Sequence, residues 1–176
     1  MYSEYLSIGE VLKPQGIHGE VKVRPDTDDP ARFALLKTVF ILKNDQYTPI
    51  KIEHVSVRAD GFVYCILNGA TTREEAESQR GDELFVDREH AVSLPDGAYF
   101  ISDLLGCSVC TQSGEKIGII KDVLQPGAND VYEIKCTDGK LMYLPVLPFV
   151  VLSVDVRQGT VVIDETRLSE VAVYED

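Results

Sequence analysis

The chain has 176 residues, 44% of them hydrophobic and 26% charged, a balance that excludes a disordered chain and leaves room for one or two small domains. Its 17 Lys and Arg face 29 Asp and Glu, a formal net charge of −12. Residues 1–92 carry 11 basic and 16 acidic side chains and residues 93–176 carry 6 and 13, so neither half is basic. A protein that lives on phosphate contacts presents a basic surface, which disfavours a stand-alone nucleic-acid binder and favours a basic protein as partner. No apolar run reaches the roughly 20 residues that cross a bilayer. The acids and glycine within Met1–Glu10 fit neither a secretory signal nor a transit peptide, so a soluble, cytoplasmic protein is expected.

The first half reads as strands. Tyr5 to Lys13, Gly19 to Arg24, Thr38 to Leu42, Ile50 to Val57, Phe62 to Leu67 and Glu83 to Asp87 are rich in β-branched and aromatic residues. Turn signals separate them at Pro25-Asp26, Asn44-Asp45, Asp60-Gly61 and Asn68-Gly69. Short strands at this spacing predict a closed or nearly closed barrel. One helix interrupts them: Thr72 with Glu75 forms a capping box and Gly81 follows as a stop. Ala76 is its one apolar residue between Arg73 and Arg80, which predicts a helix laid over a barrel end. A shorter turn is expected at Pro30 to Leu36, with Asp29 as cap and Pro30 at the first position.

Arg88 to Asp96 shows no alternation and closes on Leu94-Pro95-Asp96-Gly97, which reads as an interdomain linker. A second strand series follows at Gly106 to Thr111, Lys116 to Leu124, Val131 to Thr137, Lys140 to Val146, Val150 to Val156 and Thr160 to Asp164. It predicts a second small barrel or sandwich. The domains are read as 1–92, a linker at 93–98, 99–164, and a loose acidic tail at 165–176. The fold class is all-β, two small β-barrel domains joined by a short linker, with one short helix in the N-terminal domain.

Catalytic templates fail in turn. Gly114-Glu-Lys-Ile-Gly118 lacks the Gly-Lys-Ser/Thr ending of a phosphate-binding loop, and His18, His54 and His90 have no recognisable partner spacing. Of Cys65, Cys107, Cys110 and Cys136, only Cys107 and Cys110 are spaced to chelate; with no second pair they read as free thiols. No catalytic set, metal or cofactor is expected. Gly16-Ile-His-Gly19 reads either as a tight barrel turn or as a clamp on nucleic-acid backbone. Lys13, His18, Lys22 and Arg24 cluster near it, which makes it the first candidate for an RNA contact. Tyr99 and Phe100 are adjacent, so in extended structure they point to opposite sides. Either one is exposed as a binding anchor or both are packed.

Several stretches occur in a familiar order: Pro14-Gln-Gly-Ile-His-Gly-Glu-Val-Lys-Val23, Asp28-Asp-Pro-Ala-Arg-Phe33, Thr72-Arg-Glu-Glu-Ala-Glu77 with Arg80-Gly81, and Tyr99-Phe-Ile-Ser-Asp-Leu-Leu-Gly106. Gly114 to Gly118, Pro126-Gly-Ala-Asn-Asp-Val-Tyr132, and Leu144-Pro145 with Val154-Asp155 continue the series. Together they closely resemble the RimM family of bacterial ribosome maturation factors, over nearly the whole chain to about Asp164.

The resemblance implies a translation-factor-like N-terminal barrel and a C-terminal PRC barrel. It implies a non-enzymatic assembly factor that binds the free small ribosomal subunit, assists maturation of its head and supports processing of its rRNA. The implied protein partner is the nineteenth small-subunit ribosomal protein, a basic protein of the head, beside small-subunit rRNA. The family's subunit-binding aromatic pair falls on Tyr99 and Phe100; Phe100 stands where Tyr is common, which removes a hydroxyl. Leu144-Pro-Val-Leu-Pro-Phe149 departs from many relatives by its second proline. The partner-binding set is therefore Tyr99, Phe100, Asn129, Asp130, Tyr132, Leu144, Pro145 and Phe149. The RNA or subunit contact set is Lys13, Gly16, His18, Gly19, Lys22 and Arg24. A monomer with no membrane contact is expected. The alternatives are a cofactor-dependent enzyme on the N-terminal barrel, and a PRC-barrel interaction module unrelated to the ribosome.

Overall fold

The computed structural model describes residues 2–175; Met1 and Asp176, the outer ends of the first domain and the tail as read from sequence, lie outside the described residues. The chain forms two units, Glu4–Ser93 and the residues from Leu94 onward, which Tyr2 and Ser3 join.

Alternation builds the first unit. Strands β1 (Tyr5–Gln15), β2 (Glu20–Pro25), β3 (Thr38–Lys43), β4 (Gln46–Val57), β5 (Val63–Leu67) and β6 (Glu83–Asp87) close into a barrel in the order β1-β2-β5-β4-β3-β6. Every second residue points inward, so Leu6 and Ile8, Val21 and Val23, Val39 and Ile41, Leu84 and Val86 are all buried. The β3–β4 turn holds Asn44 and Asp45 at φ 51° and 59°, the left-handed pair that a two-residue hairpin needs. Helix α1 (Arg73–Ser78) starts on the expected capping box: Glu75 N–H donates to Thr72 Oγ1 at 3.2 Å and Thr72 N–H to Glu75 Oε2 at 3.1 Å. Its one buried residue is Ala76. The 3₁₀ turn Pro30–Leu35 buries Phe33, but Asp29 makes no side-chain cap to it; the fixed φ of Pro30 starts that turn instead.

The second unit contains β7 (Ser108–Thr111), β8 (Lys116–Leu124), β9 (Val131–Cys136), β10 (Leu141–Pro145), β11 (Val151–Asp155), β12 (Thr160–Ile163) and β13 (Val173–Glu175). The ladder runs β11-β12-β7-β8-β9-β10-β13, with β12 and β7 parallel. Val161 and Ile163 of β12, Val109 of β7, Ile120 of β8, Ile134 of β9 and Met142 of β10 share one buried cluster, so the sheet curls around its own core. Gly118 permits the closest approach, since a Cβ there would stand 2.4 Å from the Lys135 carbonyl oxygen of β9.

The segment Ile101–Leu104, to which no element was assigned from sequence, is a one-turn helix, α2, and Phe100 is its N-cap. One expectation is corrected here. Residues 165–175 are not a loose tail: Glu165–Arg167 is a 3₁₀ turn, Leu168–Val171 is helix α3, and β13 pairs with β10. Leu168, Val171 and Ala172 pack on the core, which supplies the burial that the acidic composition hid. The Tyr143 hydroxyl donates to Glu175 Oε2 at 3.0 Å and closes the last pair.

Candidate functional site

The first candidate surface is the β1–β2 hairpin tip. Gln15 pairs with Glu20, leaving Gly16-Ile-His-Gly19 as the connection, with Gly16 at φ 69° and Gly19 at φ 86°. The two glycines do different work. A Cβ at Gly16 would meet open space, whereas one at Gly19 would lie 2.2 Å from the Ala70 carbonyl oxygen. Gly19 is therefore buried packing between hairpin and helix entry, not a contact residue. Arg73 of α1 donates from Nη1 to the Gly16 carbonyl at 2.9 Å, so helix and tip form one piece. Ile17 is 68% exposed, and Lys13, Gly16 and His18 are exposed beside it.

Lys22 and Arg24, in contrast, have acids of the same barrel matched to their charges. Lys22 Nζ sits 3.1 Å from Asp60 Oδ2 and 3.9 Å from the centre of the Phe62 ring. Arg24 Nη2 is 2.5 Å from Glu10 Oε2, its cross-strand partner. Beside them Arg58 stacks 3.6 Å over Tyr64 while pairing with Glu20 at 2.9 Å. Tyr64 points outward yet is 4% exposed, because these two cations roof it. The Asp60 carboxyl is held down at about 2, first by the Tyr64 hydroxyl at 2.7 Å, with the Phe62 N–H and Lys22 assisting. The sequence showed these cations as a cluster; their acids stand far away in it and were brought close by strand pairing.

The second candidate surface lies in the C-terminal unit. Tyr99 is 36% exposed and directs its hydroxyl to the Val154 carbonyl of β11 at 3.5 Å. Phe100 is half-buried, its carbonyl accepting the Asp103 N–H at 3.0 Å. Neither residue is in a strand, and of the pair Tyr99 is the exposed one. Asn129 is exposed and Asp130 half-buried. The Asp130 carbonyl accepts the Val146 N–H at 2.8 Å, which ties the Pro126–Asp130 loop to the end of β10 at Pro145. Phe149 follows in the next turn and is 51% exposed.

Tyr132 and Leu144 do not belong to this surface. They are cross-strand partners, 2% and 0% exposed, and both are core. Burial first, then the charge of Asp130 and the hydroxyl of Tyr99, push the Tyr132 phenol up to about 12. Leu152 was missed: it is 42% exposed on β11, the strand that Tyr99 touches. A bulge between Val151 and Ser153 breaks the alternation there, so no sequence phase could show which face Leu152 takes.

The cysteines are free thiols. Burial pushes the Cys65 thiol up to about 12, and Cys107 donates to the Asp103 carbonyl at 3.2 Å. Among the described residues no cluster of His, Cys, Asp or Glu is arranged to hold a metal, and no helix is long and apolar enough to cross a membrane.

Two family models match, the RimM N-terminal domain over residues 6–91 and the PRC-barrel domain over residues 96–169. The chain is 38% identical to a Ruminiclostridium cellulolyticum protein named ribosome maturation factor RimM, over 90% of this chain and 93% of that one. This chain belongs to the RimM family. A second RimM, from Caldanaerobacter subterraneus, is 40% identical over 92% of this chain and 95% of its own length. A crystal structure from Pseudomonas aeruginosa, described as a 16S ribosomal RNA processing protein RimM, is 27% identical with a TM-score of 0.46, covering 91% of this chain and 96% of that one. The RimM model spans the closed barrel with its tied tip, and the PRC model spans Tyr99, Asp130 and Phe149.

Proposed function

We propose that this chain is a non-enzymatic ribosome assembly factor of the cytoplasm. It binds the free small ribosomal subunit, assists maturation of the head and supports processing of small-subunit rRNA. The observation that carries the reading is the exposed set Tyr99, Phe149 and Leu152, in a half of the chain with 6 basic and 13 acidic side chains. Apolar anchors within an acidic surface fit a basic protein partner, for which the nineteenth small-subunit protein of the head is the candidate. Asn129, Asp130 and Pro145 belong to the loop and strand end tied by the Val146 N–H, and Phe100, next to Tyr99 in sequence, caps α2. The hairpin tip of the first unit supplies the RNA contact. Release on maturation requires that the factor bind the immature head more tightly than the finished one.

The test is co-sedimentation with free small subunits, large subunits and assembled ribosomes at two salt concentrations. Selective binding to free small subunits is expected. Loss of the Tyr99 anchor costs on the order of 2 kcal/mol. A folded Tyr99→Ala, Phe100→Ala double variant with unchanged affinity removes this surface from the account. Equal binding to all three particles removes the ribosome.

A further inference from the structure

Loop tips are ordinarily polar, mobile and tolerant, because nothing is gained by holding an apolar side chain in water. The β1–β2 tip is built the other way. Ile17, 68% exposed, stands between two glycines whose backbone is fixed from behind. Arg73 grips the Gly16 carbonyl at 2.9 Å, and the backbone of Gly19 fits so closely against Ala70 that a Cβ would come within 2.2 Å of its oxygen. Neither flank of the Ile17-His18 pair carries a side chain, so the tip is thin and its projection is set before any partner arrives. Preorganisation of this kind lowers the ordering cost of binding.

We propose that this tip is a wedge for RNA. Ile17 and His18 pack against the faces of unstacked bases in a bulge or single-stranded loop, while Lys13 and Arg73 meet the neighbouring phosphates. The proposal deepens the RNA contact assigned above to the first unit and rests on it. Imidazole and aliphatic faces suit splayed bases, and single-stranded or bulged segments are where RNA offers such faces. Charge separates RNA from the other class of partner. Lys13 and His18 are exposed and, among the described residues, in no ion pair, whereas Lys22 and Arg24 on the adjoining strand are matched to Asp60 and Glu10. The Lys13 ammonium, a cation left unmatched beside an apolar tip, repels the basic protein expected at the second unit and attracts phosphate.

The experiment uses the full chain and two probes, free small subunits and deproteinised small-subunit rRNA, each over a salt series. Ile17→Ala should weaken binding to both roughly tenfold without changing the salt slope, and Ile17→Leu should restore it. Lys13→Gln should weaken both and lower the slope by a little under one. If Lys13→Gln has its effect and Ile17→Ala has none, the tip touches RNA but is no wedge, and the proposal falls while the RNA contact stands. If neither variant changes binding, both fall. If Ile17→Ala weakens binding to subunits but not to deproteinised rRNA, the tip meets protein and the proposal is wrong.

Discussion

In the first unit every strand is hydrogen-bonded on both sides, whereas the ladder of the second ends at β11 and β13. The difference shows in what each surface has left to offer. The closed barrel exposes no sheet edge, and along β2 its outward cations are matched to acids and stacked on rings. Its most exposed large apolar side chains are Leu35 of the 3₁₀ turn and Ile17 of the fixed tip. The second unit keeps Tyr99, Phe149 and Leu152 exposed around an edge strand that carries a bulge and is touched by the Tyr99 hydroxyl. On the proposed reading one unit binds by projection and the other by a patch, and substitutions at matched positions separate the two.

The largest contrast is between the glycines of the tip. Gly19→Ala drives a Cβ into the Ala70 carbonyl and keeps a positive φ, so a loss of about 4 kcal/mol is expected, read as a lower denaturant midpoint of the first unit. Gly16→Ala meets no atom and should lose about 1 kcal/mol. Equal effects would show that the tip is not anchored at Ala70. The second unit offers the next contrast. Leu144→Ala removes a side chain that is 0% exposed and should cost about 3 kcal/mol of stability. Phe149→Ala should leave the midpoint within about 0.5 kcal/mol and instead weaken subunit binding by about 1 kcal/mol or more. A stable Leu144→Ala variant with impaired binding would return Leu144 to the contact surface.

These contrasts also mark what the sequence could and could not disclose. Strand existence, the Thr72–Glu75 cap and the two-barrel division rest on local patterns, apolar alternation and turn chemistry, which act within a few residues and are visible in order along the chain. Tyr132 and Leu144 were drawn into the site because motifs do not distinguish a residue that touches a partner from one that supports it. Lys22 with Asp60 and Arg24 with Glu10 are 38 and 14 positions apart, so their neutralisation depends on pairing across β1, β2 and the β5 turn. The tail misled for the same reason: Leu168, Val171 and Ala172 are sparse in composition but converge on one core. Leu152 lay beyond reach because a bulge resets the alternation that would have shown its face.

The smallest expected effect tests the matched charges themselves. Asp60 accepts hydrogen bonds from the Tyr64 hydroxyl, the Phe62 N–H and Lys22, and its carboxyl titrates at about 2. A carboxyl depressed on folding contributes stability that is complete above its unfolded range and is lost as pH falls toward the folded value. The wild-type chain should therefore lose part of its stability between about pH 4 and pH 2. An Asp60→Asn variant should show a shallower decline over that interval, read as parallel denaturant midpoints at each pH. The titration of the Asp60 carboxyl, followed by NMR, gives the site directly. If it titrates in the ordinary carboxylate range, Asp60 does not hold Lys22. The outer face of β2 then carries a free lysine, and Lys22 is open to the RNA contact beside Lys13. A value near 2 fits the bonds that Asp60 accepts, from the Tyr64 hydroxyl first, then the Phe62 N–H and Lys22.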